Sequence, residues 1–248
     1  MNESTNILKV DPYIHKDPLK EVYHDQIIDN PEQFEFLVSH KTALLCIDIQ
    51  YLDAVEGYGV FREPEKSGVP EEGRKYYFDR LKRIVVPNTV RLQTAFREYG
   101  LEVVHTRIKS LTKDGRDRSE GHKRLKLLAP PGSKEAEFLE EIAPIEDEIV
   151  IDKTASGVFP STNLHYVLQN MDINALFVLG VYTNECVEST VRYACDLGYF
   201  VTVIDDACAT VTPALHDASL ATLKDRYARV VDTEQALQDL AKFASTRG

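Results

Sequence analysis

The sequence predicts an α/β fold: a three-layer, doubly wound, mostly parallel six-stranded sheet with helices on both faces. Three observations carry that expectation. Short strand-like runs recur along the chain, among them the largely apolar TALLCIDI (42–49) and ALFVLGV (175–181), with LEVVHTR (101–107) between them. Strands covered on both faces need such continuous runs rather than apolar–polar alternation. Between the runs lie segments with apolar residues at helical spacing, and a regular alternation of strand and helix sets successive strands parallel in one sheet.

Residues 1–40 are polar and broken by Pro12, Pro18 and Pro31, with no sustained period. They read as an arm lying over the domain or a neighbouring subunit, leaving 41–248 as one domain. Thr42–Ile49 is the first buried strand, followed at once by Gln50. Residues 51–78 are rich in Gly, Pro and charge, which is long for a connection, so they form either a lid or a subunit contact. Pro87 suits the first turn of a helix carrying Val90, Ala95 and Phe96, with Gly100 stopping it. Leu101–Arg107 is the second strand, and 110–124 is a turn-rich basic segment. Glu148–Asp152 is the third strand, running into Lys153. Ser161 is placed to cap a short helix through Met171. The fourth strand ends at Gly180–Val181, and Val187, Val191, Ala194 and Cys195 then recur at helical spacing. A strand at Phe200–Asp205, a helix around Leu215–Tyr227, a short strand at Val230–Val231 and a helix from Glu234 complete the chain. The sequence shows no internal repeat.

Charge and cysteine content narrow the function. Twenty-nine basic against 40 acidic residues give a net charge of −11, which argues against a nucleic acid or an acidic membrane as partner. A locally basic pocket for a small anion stays compatible with it. The four cysteines, 46, 186, 195 and 208, show neither C-x-x-C nor Cys/His zinc spacing. Cys46, Cys195 and Cys208 fall in apolar contexts and read as core residues. The N-terminus lacks an apolar leader, and no run of about 18 apolar residues occurs, so a reduced, cytoplasmic setting is expected.

In a doubly wound sheet, ligands bind beyond the carboxyl ends of the strands. Asp48, Lys153 and Cys186 each fall just after a predicted strand. Singly, Asp48 reads as a loop cap, Lys153 as a solvated side chain and Cys186 as a small residue packing a helix start. Together they place a base, a cation and a thiol on one edge. Cys186 also lies where a buried strand hands over to a helix, beside unpaired N–H groups and the positive end of the helix dipole, both of which favour thiolate.

Asp48 in IDIQ, Lys153 in IDKTASGVF and Cys186 in GVYTNECVESTVR resemble the Asp-Lys-Cys triad of the isochorismatase-like cysteine hydrolases. That group includes nicotinamidases, N-carbamoylsarcosine amidohydrolase, ureidoacrylate amidohydrolase and the biuret and triuret hydrolases. The resemblance covers roughly residues 40–240, and the Cys186 motif is most similar to the ureido-amide branch. It implies that Cys186 is the nucleophile, that Asp48 shuttles its proton, and that Lys153 stabilises the thiolate and keeps Asp48 ionised. It also implies a cis peptide between Val181 and Tyr182, with the backbone N–H groups of Tyr182 and Cys186 forming an oxyanion hole. Metal-binding relatives carry an Asp and two His soon after the first strand, whereas this chain has no His between Asp48 and His105. No metal and no cofactor are therefore expected. Isochorismatase proper, an ether hydrolase, lacks the nucleophilic Cys, so amide or ureide cleavage is the expectation. Ether hydrolysis and a non-catalytic ligand-binding relative are the alternatives. The resemblance further implies a small-molecule substrate and a homodimer or homotetramer.

Candidates for substrate binding are Gln50, Tyr182, Phe159 and Arg107. Gln50 faces the same side as Asp48 and fits a pocket or a core network equally. Arg107, with Arg116, Arg118 and His122, offers a clamp for a carboxylate or a carbonyl-rich substrate, or else belongs to a solvated turn with Asp114 and Asp117. Phe159 packs near substrate or in the core. Tyr51, Tyr58 and Phe61 suit a lid or an ordinary loop. His105 and His216 are expected to be structural.

Overall fold

The computed structural model describes residues 31–39 and 41–245. Its centre is one six-stranded sheet: β1 (Thr42–Ile47), β2 (Glu102–Ile108), β3 (Ile149–Lys153), β4 (Ala175–Val181), β5 (Phe200–Ala209) and β6 (Arg229–Val231). The order is β3-β2-β1-β4-β5-β6, and every neighbouring pair is parallel. The chain therefore winds outward from β1 through β2 to β3, then returns to the other side of β1 and winds outward again. Connections leave β1 and β4 in opposite directions, and the crevice this opens beyond their carboxyl ends is where such sheets bind ligands. β1 and β4 are buried along their whole length, which accounts for their unbroken apolar runs.

At that switch point the two backbones come unusually close. Gly180 has φ +127°, and a Cβ there would lie 2.1 Å from the Ile47 carbonyl oxygen. No L side chain fits that approach. The β4–β5 register also shifts between Val178 and Gly180, and beyond it β5 runs to Ala209, four residues past the expected end at Asp205.

The helix expected to begin at Pro87 in fact begins earlier, at Glu71. Glu71–Arg80 continues through a wide π-type turn, Leu81–Val85, into Val86–Glu98. Proline cannot donate to the preceding turn, and a locally widened turn is a common way for a helix to accommodate it. The short helix after β3 is Leu164–Asn170. Its Leu164 N–H is received by Thr162 Oγ1 at 3.1 Å, because Ser161 Oγ instead donates to the Gly157 carbonyl at 2.7 Å. The helix expected around Leu215–Tyr227 is Pro213–Leu223, with Thr212 capping the Leu215 N–H at 3.2 Å and Pro213 in its first turn.

Pro31–Val38, at the end of the expected arm, is helical. It packs on β4 and on the C-terminal helix Thr233–Ser245, with Leu37 buried and the Phe36 ring 5.4 Å from Phe200. The rest of that arm lies outside the described residues. Within 51–78, Phe61 is buried against Tyr77 and Phe78, with ring centroids 5.8 and 5.0 Å away. Phe61 thus anchors the segment to the core. Tyr51 and Tyr58 meet edge to face at 5.4 Å. No helix among the described residues is long and apolar enough to cross a membrane.

Candidate active site

Three elements deliver three side chains to one point beyond the sheet. Asp48 follows β1 with φ +56°, a left-handed residue that carries the chain out of the pleat, and Asp is among the residues that tolerate this conformation. β2 fixes it twice: its N–H donates to the Thr106 carbonyl at 3.1 Å, and its Oδ1 accepts from Thr106 Oγ1 at 3.1 Å. Lys153, the last residue of β3, reaches across the end of β2 and is fully buried. Its Nζ lies 2.8 Å from Asp48 Oδ2, 3.3 Å from Cys186 Sγ and 2.9 Å from the Ala155 carbonyl. Three ammonium protons thus meet three partners.

Cys186, 3 % exposed, sits in a π-type turn, Thr183–Val187, between β4 and the helix Glu188–Asp196. The turn is pinned from behind. Thr183 Oγ1 pairs with His216 Nδ1 at 2.9 Å, His216 Nε2 meets Asp205 Oδ1 at 2.8 Å, and Ser219 Oγ donates to the Thr183 carbonyl at 3.2 Å. His216 is structural in the way the sequence suggested, and so is His105, whose Nε2 meets Glu148 Oε2 at 3.0 Å. The Val181–Tyr182 peptide bond is cis.

The electrostatics of the cluster reverse one expectation. Burial pushes the Cys186 thiol up; Lys153 pulls it down, but Asp48 and Asp53 push it further up, and the net result lies well above an ordinary thiol. Burial by itself lowers the Lys153 ammonium, yet the Asp48 charge and the hydrogen bonds to Asp48 and Cys186 outweigh it and hold the group above its usual range. The resting site is therefore a thiol beside an Asp–Lys pair. The thiolate expected from the helix start is disfavoured, because burial, aided by the Asp48 carboxylate, outweighs one ammonium. A raised pKa leaves the sulfur protonated through neutral pH. The Cys186 thiolate band near 240 nm, read as wild type minus Cys186→Ser, is thus expected to appear only above the free-cysteine value of about 8.5. A band already present at pH 7 contradicts this account.

Other expected site residues have been claimed by neighbours. Gln50 Oε1 accepts the Ile108 N–H at 2.6 Å, while Nε2 donates to the carbonyls of Ile108 and Glu135 at 2.9 and 2.8 Å. It belongs to a core network and has little left for a ligand. Arg107 pairs with Asp152 at 2.6 Å and donates to the Ala136 carbonyl at 3.0 Å, because the β2–β3 register sets it directly beside that carboxylate. Arg116 pairs with Asp114 on the surface, and Arg118 donates to the carbonyls of Gly115 and Leu127. Phe159 stacks on Tyr199 at 5.8 Å within the core. Tyr51 lies under the Lys134 ammonium at 4.0 Å.

Two expected residues do border the triad. The Tyr182 ring stacks on Tyr77 at 5.1 Å, and its hydroxyl is buried without a hydrogen-bond partner. His122 is buried, and its imidazole is pushed down to about 4, by burial first and then by the Lys153 charge. Sequence reasoning missed Asp53. This residue is 1 % exposed in the helical turn Tyr51–Ala54, and both of its carboxyl oxygens lack a partner. Burial, then the Asp48 charge, raise its pKa well above the usual carboxylate range. The available signal was an acid between apolar residues in YLDAV, five positions after Asp48. A cavity of about 530 Å³ adjoins this turn and shares Leu52 with it, lined also by Gly59, Arg62, Lys66, Arg124 and Glu135. None of the triad residues lines it. Among the described residues no group of three His, Cys, Asp or Glu is placed to hold a metal ion.

Comparison with known proteins agrees with this architecture. Residues 42–235 match the Isochorismatase domain family. The chain is 31 % identical over 207 residues to YddQ of Bacillus subtilis, an uncharacterized isochorismatase family protein, covering 79 % of this chain and 99 % of that one. It is 38 % identical over 126 residues to the ureidoacrylate amidohydrolase RutB of Acinetobacter baylyi, where the match spans 48 % of this chain and 51 % of the relative. The crystal structure of an isochorismatase family protein from Desulfovibrio vulgaris superposes with a TM-score of 0.68 at 25 % identity, covering 82 % of this chain and 98 % of that one. A family match across most of the chain, on a sheet whose switch point gathers Asp48, Lys153 and Cys186, makes this chain a member of the isochorismatase family of hydrolases.

Proposed function

We propose that the chain is a cysteine-dependent amidohydrolase that cleaves a C–N bond of a small amide or ureide through an acyl or carbamoyl intermediate on Cys186. The observation that carries this reading is the contact of one ammonium with both sulfur and carboxylate, Lys153 Nζ being 3.3 Å from Cys186 Sγ and 2.8 Å from Asp48 Oδ2. Because Lys153 holds its proton, Asp48 is the base. As Sγ attacks the carbonyl carbon, the thiol proton passes to Asp48, a C–S bond forms, and the carbonyl electron pair moves onto oxygen. The backbone N–H groups of Tyr182 and Cys186 receive that oxyanion. On collapse the C–N bond breaks, and the leaving nitrogen takes the proton from Asp48 and departs as ammonia or an amine. Water then gives a proton to Asp48 and attacks the thioester carbon; the C–S bond breaks, and sulfur recovers the proton. The Lys153 charge stabilises the sulfur anion during both halves.

The similarity to ureidoacrylate amidohydrolase RutB over part of the chain supports the amide class. Hydrolysis of an ether without a covalent step has no use for a thiol wired to an Asp–Lys pair. Ammonia release measured across ureides (biuret, triuret, ureidoacrylate, carbamoyl amino acids) and simple amides identifies the substrate. Acid quench during turnover is expected to leave an acyl or carbamoyl mass on the Cys186 peptide. Turnover that survives alkylation of Cys186 overturns the reading.

A further inference from the structure

The arginines that the sequence offers as a carboxylate clamp, Arg107, Arg116 and Arg118, are held by partners of their own. Two cations a few residues further on are not. Among the described residues the side chains of Arg124 and Lys126 meet no carboxylate at ion-pair distance. Both line the cavity of about 530 Å³ beside the Tyr51–Ala54 turn.

That cavity is built on apolar ground. Leu52, Ile108, Leu127, Ala129 and Ala136 form a buried cluster separate from the main core, and Val60 packs against it. Leu52 and Val60 line the cavity, as do Leu125, Leu128 and Pro130. Leu125 is 52 % exposed, a large apolar side chain set between two cations. The segments on either side are fixed. The Ser110 N–H donates to the Ala129 carbonyl at 2.9 Å, and the Leu127 N–H donates to the His122 carbonyl at 2.9 Å. Across the cavity, Arg74 Nη1 donates to the carbonyls of Pro64 and Val69 at 3.1 and 2.9 Å. A space held open in this way asks little reorganisation of a ligand, and its volume lies within the roughly 300–1,000 Å³ of small-molecule sites.

Charge then selects the ligand. The acids of the cavity are paired, Glu63 with Lys66 and Glu135 with Arg62. Arg124 and Lys126 therefore leave it locally positive in a chain of net charge −11. Such a spot draws an anion and repels a cation, and the guanidinium fork grips a carboxylate by both oxygens. A small anion alone would leave the apolar lining wet. The fitting ligand joins an anionic head to an apolar body.

We propose that this cavity is a second binding site, apart from the triad, for an amphipathic carboxylate. The head lies at Arg124 and Lys126, and the body covers Leu52, Val60 and Leu128. No triad residue lines the cavity, so the site stands whether or not the amidohydrolase reading holds.

Calorimetry on the full chain tests this with octanoate as the probe. Acetate supplies the head alone, and octylammonium supplies the body with the opposite charge. One octanoate per chain is expected, bound about tenfold or more tighter than either of the others. Arg124→Gln combined with Lys126→Asn removes both charges, and Asn suits the left-handed backbone at 126, where φ is +56°. That variant is expected to bind octanoate about fivefold or more weakly. Leu125→Ser is expected to weaken octanoate and leave acetate unchanged. All three positions are exposed, and a thermal melt confirms that each variant folds; if the double variant does not, Leu125→Ser and the ranking of the three probes decide. Octanoate that does not bind, octylammonium or acetate that binds as tightly, or an octanoate affinity unchanged in the folded variants overturns the proposal.

Discussion

Replacing Cys186 with alanine is expected, under the amidohydrolase proposed above, to lower hydrolysis by about 10⁴-fold or more, since loss of the proposed nucleophile removes the whole covalent route. The fold should survive. Sγ is a small buried group whose polar link is to Lys153 at 3.3 Å, and that ammonium keeps Asp48 and the Ala155 carbonyl when the sulfur is gone. The turn that presents residue 186 is held by Thr183, His216 and Ser219, none of which touches sulfur in that network. Kinetics and a thermal melt measured on the same sample check both halves. Activity within tenfold of wild type rules out a covalent mechanism at this position, and a collapsed melt shows that the thiol was mainly a packing group.

Lys153→Met is expected to be the most damaging single change to stability near the site, by about 3–5 kcal/mol, because it leaves the Asp48 carboxylate buried without its counter-charge. Asp48 is 1 % exposed and would keep only Thr106 as a side-chain partner. For a chain of this size that loss corresponds to a fall in Tm of roughly 10 °C. Turnover falls with it, since nothing remains to hold Asp48 and the sulfur anion together. Adding Asp48→Asn to Lys153→Met removes the stranded charge and should recover part of the loss, giving a coupling of the sign expected for a direct pair. Equal melting of wild type and Lys153→Met would mean that the two groups do not share a buried ion pair.

The sheet was legible because each strand is a run of residues with one local property. ALLCI (43–47) and ALFVLGV are apolar throughout since β1 and β4 are central and covered on both faces. The triad could be read because each member is the residue at, or just past, the end of such a run. Strand order could not be read. Lys153 leaves the edge strand β3 and reaches Asp48 past β2, a neighbourhood that no spacing along the chain encodes. The same holds for Arg107 and Gln50, whose residue types suit a substrate. β2–β3 register brings Asp152 to the arginine, and a distant loop brings the Glu135 carbonyl to the amide.

Periodicity, chain breakers and the chemistry of three side chains were enough to name the architecture and to pick out Asp48, Lys153 and Cys186, because those features act over a few neighbouring residues. Which protons those groups carry was decided only when the chain closed up. Folding removed water from Cys186 and brought the Asp48 carboxylate close enough to help hold the sulfur as a thiol. Protonation answers to distance and dielectric through space, and neither quantity exists until the elements have packed.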